Sequence, residues 1–190
     1  MVRIIDIHSH LNFPLFDVDR EEIISRMKKE GIGTITIGTN LETSQEAIAL
    51  AEKHGHIWAS VGMHPTDEVH DFDVHAFEEL ARHDRVVCIG ECGLDYFRLT
   101  DNENKESIIA TQKEIFKAHI DIARTTGKPL MIHGRPTVGT QNAYEDILDI
   151  LESHTDVHAH FHFFVGDITI AKRIVKNGWT VSFDGPITFS

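Results

Sequence analysis

His8-Ser9-His10 closes the first apolar run of the chain, Arg3-Ile4-Ile5-Asp6-Ile7. A short apolar run that leads into polar residues is typical of a β-strand. In a strand, residues i and i+2 point to the same side, so His8 and His10 project together from the strand end. Two neutral imidazoles on one side form half of a site for a divalent metal, because imidazole is a good ligand for zinc, iron and related ions.

The bulk composition is that of a globular protein outside the membrane. The 190 residues are 41% hydrophobic and 25% charged, and no apolar run approaches the ~20 residues that span a bilayer. No secretory signal is evident and Cys88 and Cys92 suggest no disulfide, so we predict a reduced, cytoplasmic setting and no membrane partner. The net charge of −12 argues against a broad basic surface for nucleic acid, although metals and one or two arginines can hold a phosphate locally.

Apolar runs with β character alternate with amphipathic stretches along the chain. We predict strands at residues 3–8, 34–38, 57–62, 86–91, 129–133, 157–163 and 180–183. We predict helices at residues 20–30, 41–54, 73–82, 105–126, 144–154 and 168–177. This alternation implies parallel strands with right-handed crossovers, as in a doubly wound sheet or a TIM-type (β/α) barrel.

Polar residues at the strand ends favour the barrel. His8, Glu91, His133 and His162 end predicted strands, where barrel enzymes place their chemistry, and no Gly-rich loop follows the first strand. Only about seven of the eight units are found, because the 190 residues end just after the seventh strand. We therefore expect a single, C-terminally incomplete barrel domain over residues 1–190, with exposed edges through which copies could associate.

Five polar residues form one constellation: His8, His10, Glu91, His133 and His162. A carboxylate such as Glu91 can bridge two cations, with two histidines on either side. Two metals ~3.5–4 Å apart can activate a water and stabilise charge on phosphoryl oxygens. The pattern therefore favours a two-metal hydrolase, with zinc, magnesium, manganese, iron and nickel all open as the metal.

Five segments of the chain also match a known family in order. They are His8-Ser-His10, Gly62-Met-His64-Pro65, Gly90-Glu91-Cys-Gly93-Leu94-Asp95-Tyr96, His133-Gly-Arg135 and His162-Phe-Phe164-Val-Gly166. Together they resemble the TatD family of the amidohydrolase superfamily of metal-dependent barrels. The resemblance implies that the five residues of the constellation are metal ligands. It also implies divalent-metal-dependent DNase or 3′–5′ exonuclease activity, with a minority of members linked to other hydrolytic reactions.

Three features depart from the family pattern. The family's His-Cys-Phe-Ser-Gly is replaced by His162-Phe163-Phe164-Val165-Gly166, which loses a small polar residue. The acidic residue usual after His133-Gly-Arg135 is replaced by Pro136, at the head of a longer loop. The family's Glu-Thr-Asp segment at strand eight, whose aspartate ligates one metal and acts as general base, has no counterpart in the 190 residues. The general base is therefore unassigned.

Four residues are candidates for contact with substrate: His64, Asp95, Tyr96 and Arg135. His64 ends the third strand, and its alternative role is to cap the next helix. Arg135 can hold a phosphate through two hydrogen bonds, against an alternative surface ion pair. Asp95 and Tyr96 are expected to orient ligands or substrate.

The remaining histidines are divided by position. His158, His160 and His162 share one strand face, and we favour His162 as the ligand because it lies nearest the loop. His160 is the fallback, since a register slip of two residues would exchange the two. Seven others are expected to be exposed: His54, His56, His70, His75, His83, His119 and His154.

The sequence thus predicts a divalent-metal-dependent hydrolase, a DNase or 3′–5′ exonuclease that cleaves phosphodiester bonds through a metal-activated water. Its partner would be DNA or another phosphodiester, with Glu91 bridging two divalent ions and Arg135 steadying the phosphate. Two alternatives stay open. One is an amidohydrolase acting on C–N or ester bonds, in which Arg135 meets a carboxylate. The other is a truncated metal-binding scaffold with little activity.

Overall fold

The computed structural model describes residues 1–67, 72–99 and 103–188, and in these ranges seven strands alternate with six helices. The strands are β1 Ile4–Ser9, β2 Ile32–Ile37, β3 Ile57–Val61, β4 Val86–Asp95, β5 Leu130–Arg135, β6 Ala159–Phe161 and β7 Thr180–Val181. The helices are α1 Arg20–Glu30, α2 Leu41–Lys53, α3 Val74–Ala81, α4 Lys105–Thr126, α5 Asn142–Leu151 and α6 Ile168–Lys176. Among the described helices, none is both long and apolar enough to cross a bilayer.

The strands form one sheet in chain order, and each strand runs parallel to the next. β1 and β6 are five positions apart, which is about 24 Å in a flat sheet with ~4.8 Å between strands. Yet the rings of His8 and His162, at the ends of these strands, stack with their centroids 3.8 Å apart. The sheet is therefore strongly curled, which confirms the TIM-type α/β architecture over seven strands.

The core lies between this curled sheet and the helices outside it. Successive strands contribute fully buried side chains such as Ile57, Ile89, Leu130 and Phe161, and α4 covers them with Phe116. Cys88 and Cys92 are buried free thiols, as the sequence predicted. Burial raises the pKa of Cys88 to about 11 and that of Cys92 well above its usual value, so both pack as small apolar side chains.

β4 runs four residues beyond its predicted end at Glu91. Its pairing with β5 is irregular between Ile89 and Cys92, and between them the Glu91 N–H donates to the carbonyl of Gly38. Pairing then resumes through Asp95. The predicted end was wrong because the irregular pairing at Glu91 lies within the strand and does not end it. Glu91 therefore projects from the middle of a strand.

β6 is shorter than predicted. It covers only Ala159–Phe161, so His162 is the first residue beyond the strand and His158 precedes it. The backbone N–H of His162 still donates to the carbonyl of Ile132, at 3.2 Å. This bond ties the start of the following loop to the neighbouring strand and sets the direction of the His162 side chain.

Candidate metal centre

Glu91 lies at the centre of a cluster of histidines, and its two carboxylate oxygens face different partners. Oε2 lies 3.4 Å from Nε2 of His8 and 3.8 Å from Nε2 of His10. Oε1 lies 2.7 Å from Nε2 of His162 and 3.0 Å from Nδ1 of His133. The five residues that the sequence singled out as candidate ligands thus meet around one carboxylate.

The geometry of β1 explains why His8 and His10 lie side by side. His8 lies on the strand and His10 just beyond it, so both rings reach the same side and their Nε2 atoms are 3.2 Å apart. The buried side chain of Asn12 holds the following loop against the sheet. Its amide donates to the carbonyls of Ile37 and Thr43, at 3.2 and 3.0 Å. The loop that follows His10 is therefore held by contacts distant in sequence.

His64 joins the other side of the cluster. Its Nε2 lies 3.5 Å from Oε1 of Glu91 and 3.2 Å from Nδ1 of His133. The sequence predicted this residue as a substrate contact. Its position beside the carboxylate makes it a candidate ligand as well.

Glu91 is only 3% exposed, yet it favours the charged form. Burial raises the pKa of its carboxyl, but hydrogen bonds from His133, His162, His64 and His8 lower that pKa well below the usual value. A charged carboxylate in such a place requires compensating positive charge nearby. The cluster is therefore an environment suited to cations.

His133 lies between two carboxylates. Its Nδ1 faces Glu91 and its Nε2 lies 3.1 Å from Oδ2 of Asp95, a buried side chain that ends β4. Burial lowers the pKa of His133, but the bonds to Asp95 and Glu91 outweigh it and raise that pKa to about 9. Burial also raises the pKa of Asp95, but the bond from His133 outweighs that effect and holds this pKa below its usual value. Asp95, which the sequence assigned to orienting ligands or substrate, thus contacts a candidate ligand.

The donor set fits divalent cations. The ligand atoms of His8, His10 and Glu91 lie within 4.8 Å of one another, and so do those of His64, Glu91 and His133. Ring nitrogens that have released their proton and a carboxylate all offer lone pairs, and such groups that converge on one point are stable with a cation between them. Nδ1 of His8 is also buried without a protein partner in the described part of the chain.

The structure brings His162, and not His160, to the cluster. Nδ1 of His160 lies 2.8 Å from the hydroxyl of Thr180, and its Nε2 lies 3.0 Å from that of Ser182. Burial, with a smaller effect from His162, lowers the pKa of His160 to about 4. The ring of His160 is thus held by residues in and just after β7.

Tyr96 and Arg135 have different surroundings. Tyr96 is buried and its hydroxyl donates to Oδ2 of Asp146 in α5, at 2.8 Å, so the structure does not bring it to the cluster. Arg135 ends β5, and its Cζ lies 3.9 Å above the centre of the Phe97 ring. Arg135 therefore presents its positive charge beside the cluster.

A cavity of about 720 Å³ opens directly beside the cluster. Glu91, His133 and His162 form its inner end, and Arg135 lies in its wall. The rest of the lining comes from Phe97, Gly134 in β5, the loop of residues 136–141, Phe163 and Val165. A space of this size is typical of a binding site for a small molecule or for part of a larger substrate.

Sequence reasoning missed two buried histidines. His119 is fully buried and His56 nearly so, although both were expected to be exposed. Nδ1 of His119 bonds the carbonyl of Ile115, and its Nε2 accepts from the backbone N–H of Met63, the residue before His64. The spacing of His119 from Phe116 and Ala123 places it on the apolar face of α4 and could have revealed this. His70 lies outside the described residues.

Known proteins resemble this chain over nearly its whole length. The family model for TatD-related DNase matches residues 5–190. YabD of Bacillus subtilis (strain 168), an uncharacterized metal-dependent hydrolase, is 35% identical over 189 residues, which is 97% of this chain and 69% of YabD. The 3′–5′ ssDNA/RNA exonuclease TatD of Salmonella typhimurium is 30% identical over 185 residues, which is 95% of this chain and 66% of that protein. The chain thus spans about two thirds of the length of these relatives.

Solved structures support the fold. YJJV, a TatD homolog from Escherichia coli K12, superposes with a TM-score of 0.76 at 24% identity, over 94% of this chain and 66% of its own. A TatD-family hydrolase from Entamoeba histolytica superposes with a TM-score of 0.79 at 20% identity, over 96% of this chain and 65% of its own.

Proposed function

The chain belongs to the TatD family of metal-dependent hydrolases, and from this premise we propose that it cleaves phosphodiester bonds in single-stranded DNA with divalent cations held around Glu91. The observation that carries the proposal is the division of the histidines between the two oxygens of one buried carboxylate. That arrangement suits a carboxylate shared by two cations.

Each side of the carboxylate offers its own ligands. We assign His8 and His10 to one cation and His133 and His162 to the other, with His64 close enough to assist the second. Divalent cations bound there supply Lewis acidity and lower the pKa of a coordinated water. Glu91 contributes negative charge to both positions, and its lowered pKa keeps that charge across the physiological range.

Arg135 is the residue we assign to the phosphate. Its Cζ lies 3.9 Å from the centre of the Phe97 ring, and a guanidinium held by its face on an aromatic ring keeps the N–H groups at its edge available. Those groups match the two non-bridging oxygens of a phosphodiester. Asp95 holds Nε2 of His133 and so orients the ring that reaches Glu91 through Nδ1.

Nuclease activity with a Glu91 variant tests the proposal. We expect the wild type to cleave short, end-labelled single-stranded DNA with Mg²⁺ or Mn²⁺, and EDTA to abolish cleavage. Glu91→Gln keeps the size of the side chain but removes its charge, so cleavage should fall by at least about 100-fold. The matched control is Glu114→Gln, at an exposed carboxylate on α4.

Two results would contradict the proposal. One is no cleavage by a wild-type protein shown to be folded and loaded with metal. The other is cleavage that persists in Glu91→Gln at the wild-type rate. Turnover of a C–N or carboxylic ester substrate, with none of DNA, would instead support the amidohydrolase alternative.

A further inference from the structure

The outer part of the cavity is apolar and aromatic, unlike the charged inner end. Phe163, Val165 and Val138 line it, and each leaves more than two fifths of its surface exposed. These side chains lie immediately beyond the histidines that meet Glu91. If one group of a molecule binds at the cluster, the group attached next to it would therefore lie against this apolar wall.

Phe163 has an unusual backbone conformation. Its φ of 49° lies in the left-handed region, which is unfavourable for a bulky residue. The backbone on either side is held, since the N–H of His162 donates to Ile132 and that of Phe164 donates to Ser182. The Phe163 ring is 43% exposed, so it gains little from burial. An unfavourable conformation that presents an exposed ring to a cavity suggests contact with a ligand.

A second aromatic surface lies on another part of the lining, which is formed by β5 and the segment after β4. Arg135 covers the ring of Phe97 at 3.9 Å, so a flat cationic plane borders the cavity. Planar guanidinium groups and aromatic rings are the surfaces on which proteins stack nucleobases. The cavity therefore combines a phosphate-binding charge with two surfaces suited to a flat ring.

Three polar side-chain atoms of the lining are engaged with the protein itself. The hydroxyl of Thr137 donates to the carbonyl of Tyr96, and that of Thr140 donates to the carbonyl of Thr137. Oε1 of Gln141 accepts from the backbone N–H of Asp167. The two threonine hydroxyls are therefore less available to a base edge, and stacking, which tolerates any base, is the mode of recognition that this cavity favours.

We propose that this cavity is a nucleobase subsite, in which the Phe163 ring stacks on a base attached to the scissile phosphate. The inference rests on the proposed phosphodiesterase function and adds to it the residue that recognises the base. Phe163 is in this role a specificity residue, and it takes no part in the chemical step.

Abasic substrates test the stacking directly. One substrate is single-stranded decathymidylate. The other has tetrahydrofuran residues without bases on both sides of its last phosphodiester. We expect the wild type to cleave that bond about tenfold faster, in kcat/KM, when the bases are present. Phe163→Ala should lower kcat/KM for decathymidylate to the abasic value and leave the abasic value within about twofold. Phe163→Tyr should keep the preference.

A second variant protects the test against misfolding. Phe163→Gly removes the ring and suits a φ of 49°, so its fold should be retained while the preference for bases is lost. Phe183→Ala is the matched control, since Phe183 is also an exposed phenylalanine but does not line the cavity. It should behave as the wild type.

The outcomes separate the two proposals. If the wild type fails to cleave decathymidylate, the proposed function falls and this inference falls with it. If the wild type cleaves both substrates equally, or the Phe163 variants retain the preference for bases, only the stacking inference is overturned.

Discussion

Glu91 shows how single residues set the chemistry of this molecule. Its carboxyl is buried, and burial alone would favour the neutral form. Hydrogen bonds from four imidazoles reverse that preference. The same histidines that favour the charge of Glu91 are the candidate ligands of the cations.

His119 contributes to the pH dependence of stability, because one of its hydrogen bonds requires a neutral ring. Its Nε2 accepts a hydrogen bond from the backbone N–H of Met63, which a protonated ring could not do. Burial lowers the pKa of His119 to about 4. As the pH falls below about 6.5, the unfolded chain takes up this proton before the folded chain does, so stability present above pH 6.5 is lost progressively towards pH 4.

We predict that this histidine accounts for about 2 kcal/mol of lost stability between pH 7 and pH 5. His119→Gln can accept the bond from the Met63 N–H through its amide oxygen and does not titrate. Its free energy of unfolding, measured by urea denaturation, should therefore fall less than that of the wild type over this range. Equal losses in the two proteins would show that His119 titrates normally in the fold.

At the scale of elements, the glycines of β4 determine how closely the strands approach one another at the site. Gly93 has a φ of +135°, and a Cβ added there would lie 2.1 Å from the backbone oxygen of His133. A Cβ on Gly90, whose φ is +139°, would lie 2.4 Å from the backbone oxygen of Met131. These two residues permit the bulge that turns Glu91 towards the histidines.

We predict that Gly93→Ala destabilises the fold by about 3 kcal/mol or more, because the methyl group collides with backbone and the conformation disfavours a side chain. Thermal or urea unfolding measures this loss. Gly55→Ala is the control, since an added Cβ at Gly55 meets no described atom within 4 Å. Similar stability of the two variants would contradict the close approach of β4 and β5.

Across the whole molecule, the cluster joins elements that are far apart in the sheet. His8 comes from β1, Glu91 from β4 and His162 from the end of β6. A cation held by residues from such separated strands would bind the folded chain far better than the unfolded one. Bound metal is therefore expected to stabilise the curled sheet as a whole.

We predict that Mn²⁺ or Zn²⁺ at about 100 times its Kd stabilises the protein by ~2.7 kcal/mol, which raises Tm by about 5–10 °C for a chain of this size. EDTA should reverse the shift. Glu91→Gln should remove most of it, and Glu114→Gln should keep it. A shift of the same size in Glu91→Gln would place the bound metal elsewhere.

The linear sequence by itself determined the alternation of strands and helices, and the polar residues at the strand ends then favoured the barrel over a doubly wound sheet. It also indicated the five residues that meet at the centre, because the period of a strand and the polarity of strand ends are local properties. Family motifs strengthened that interpretation. Local patterns carried no information on how long β4 continues past Gly90, since a glycine serves a turn and a bulge equally well.

Only the tertiary structure decided which side chains face one another. His160 and His162 are two residues apart, so the strand pattern places both on the same face. In the folded sheet His162 faces Glu91, whereas His160 faces Thr180 and Ser182. Tyr96 lies next to a motif residue, yet it points to Asp146. The cavity in front of Phe163 is likewise formed by loops that are distant in sequence. Such long-range contacts depend on packing between elements, which no local pattern specifies.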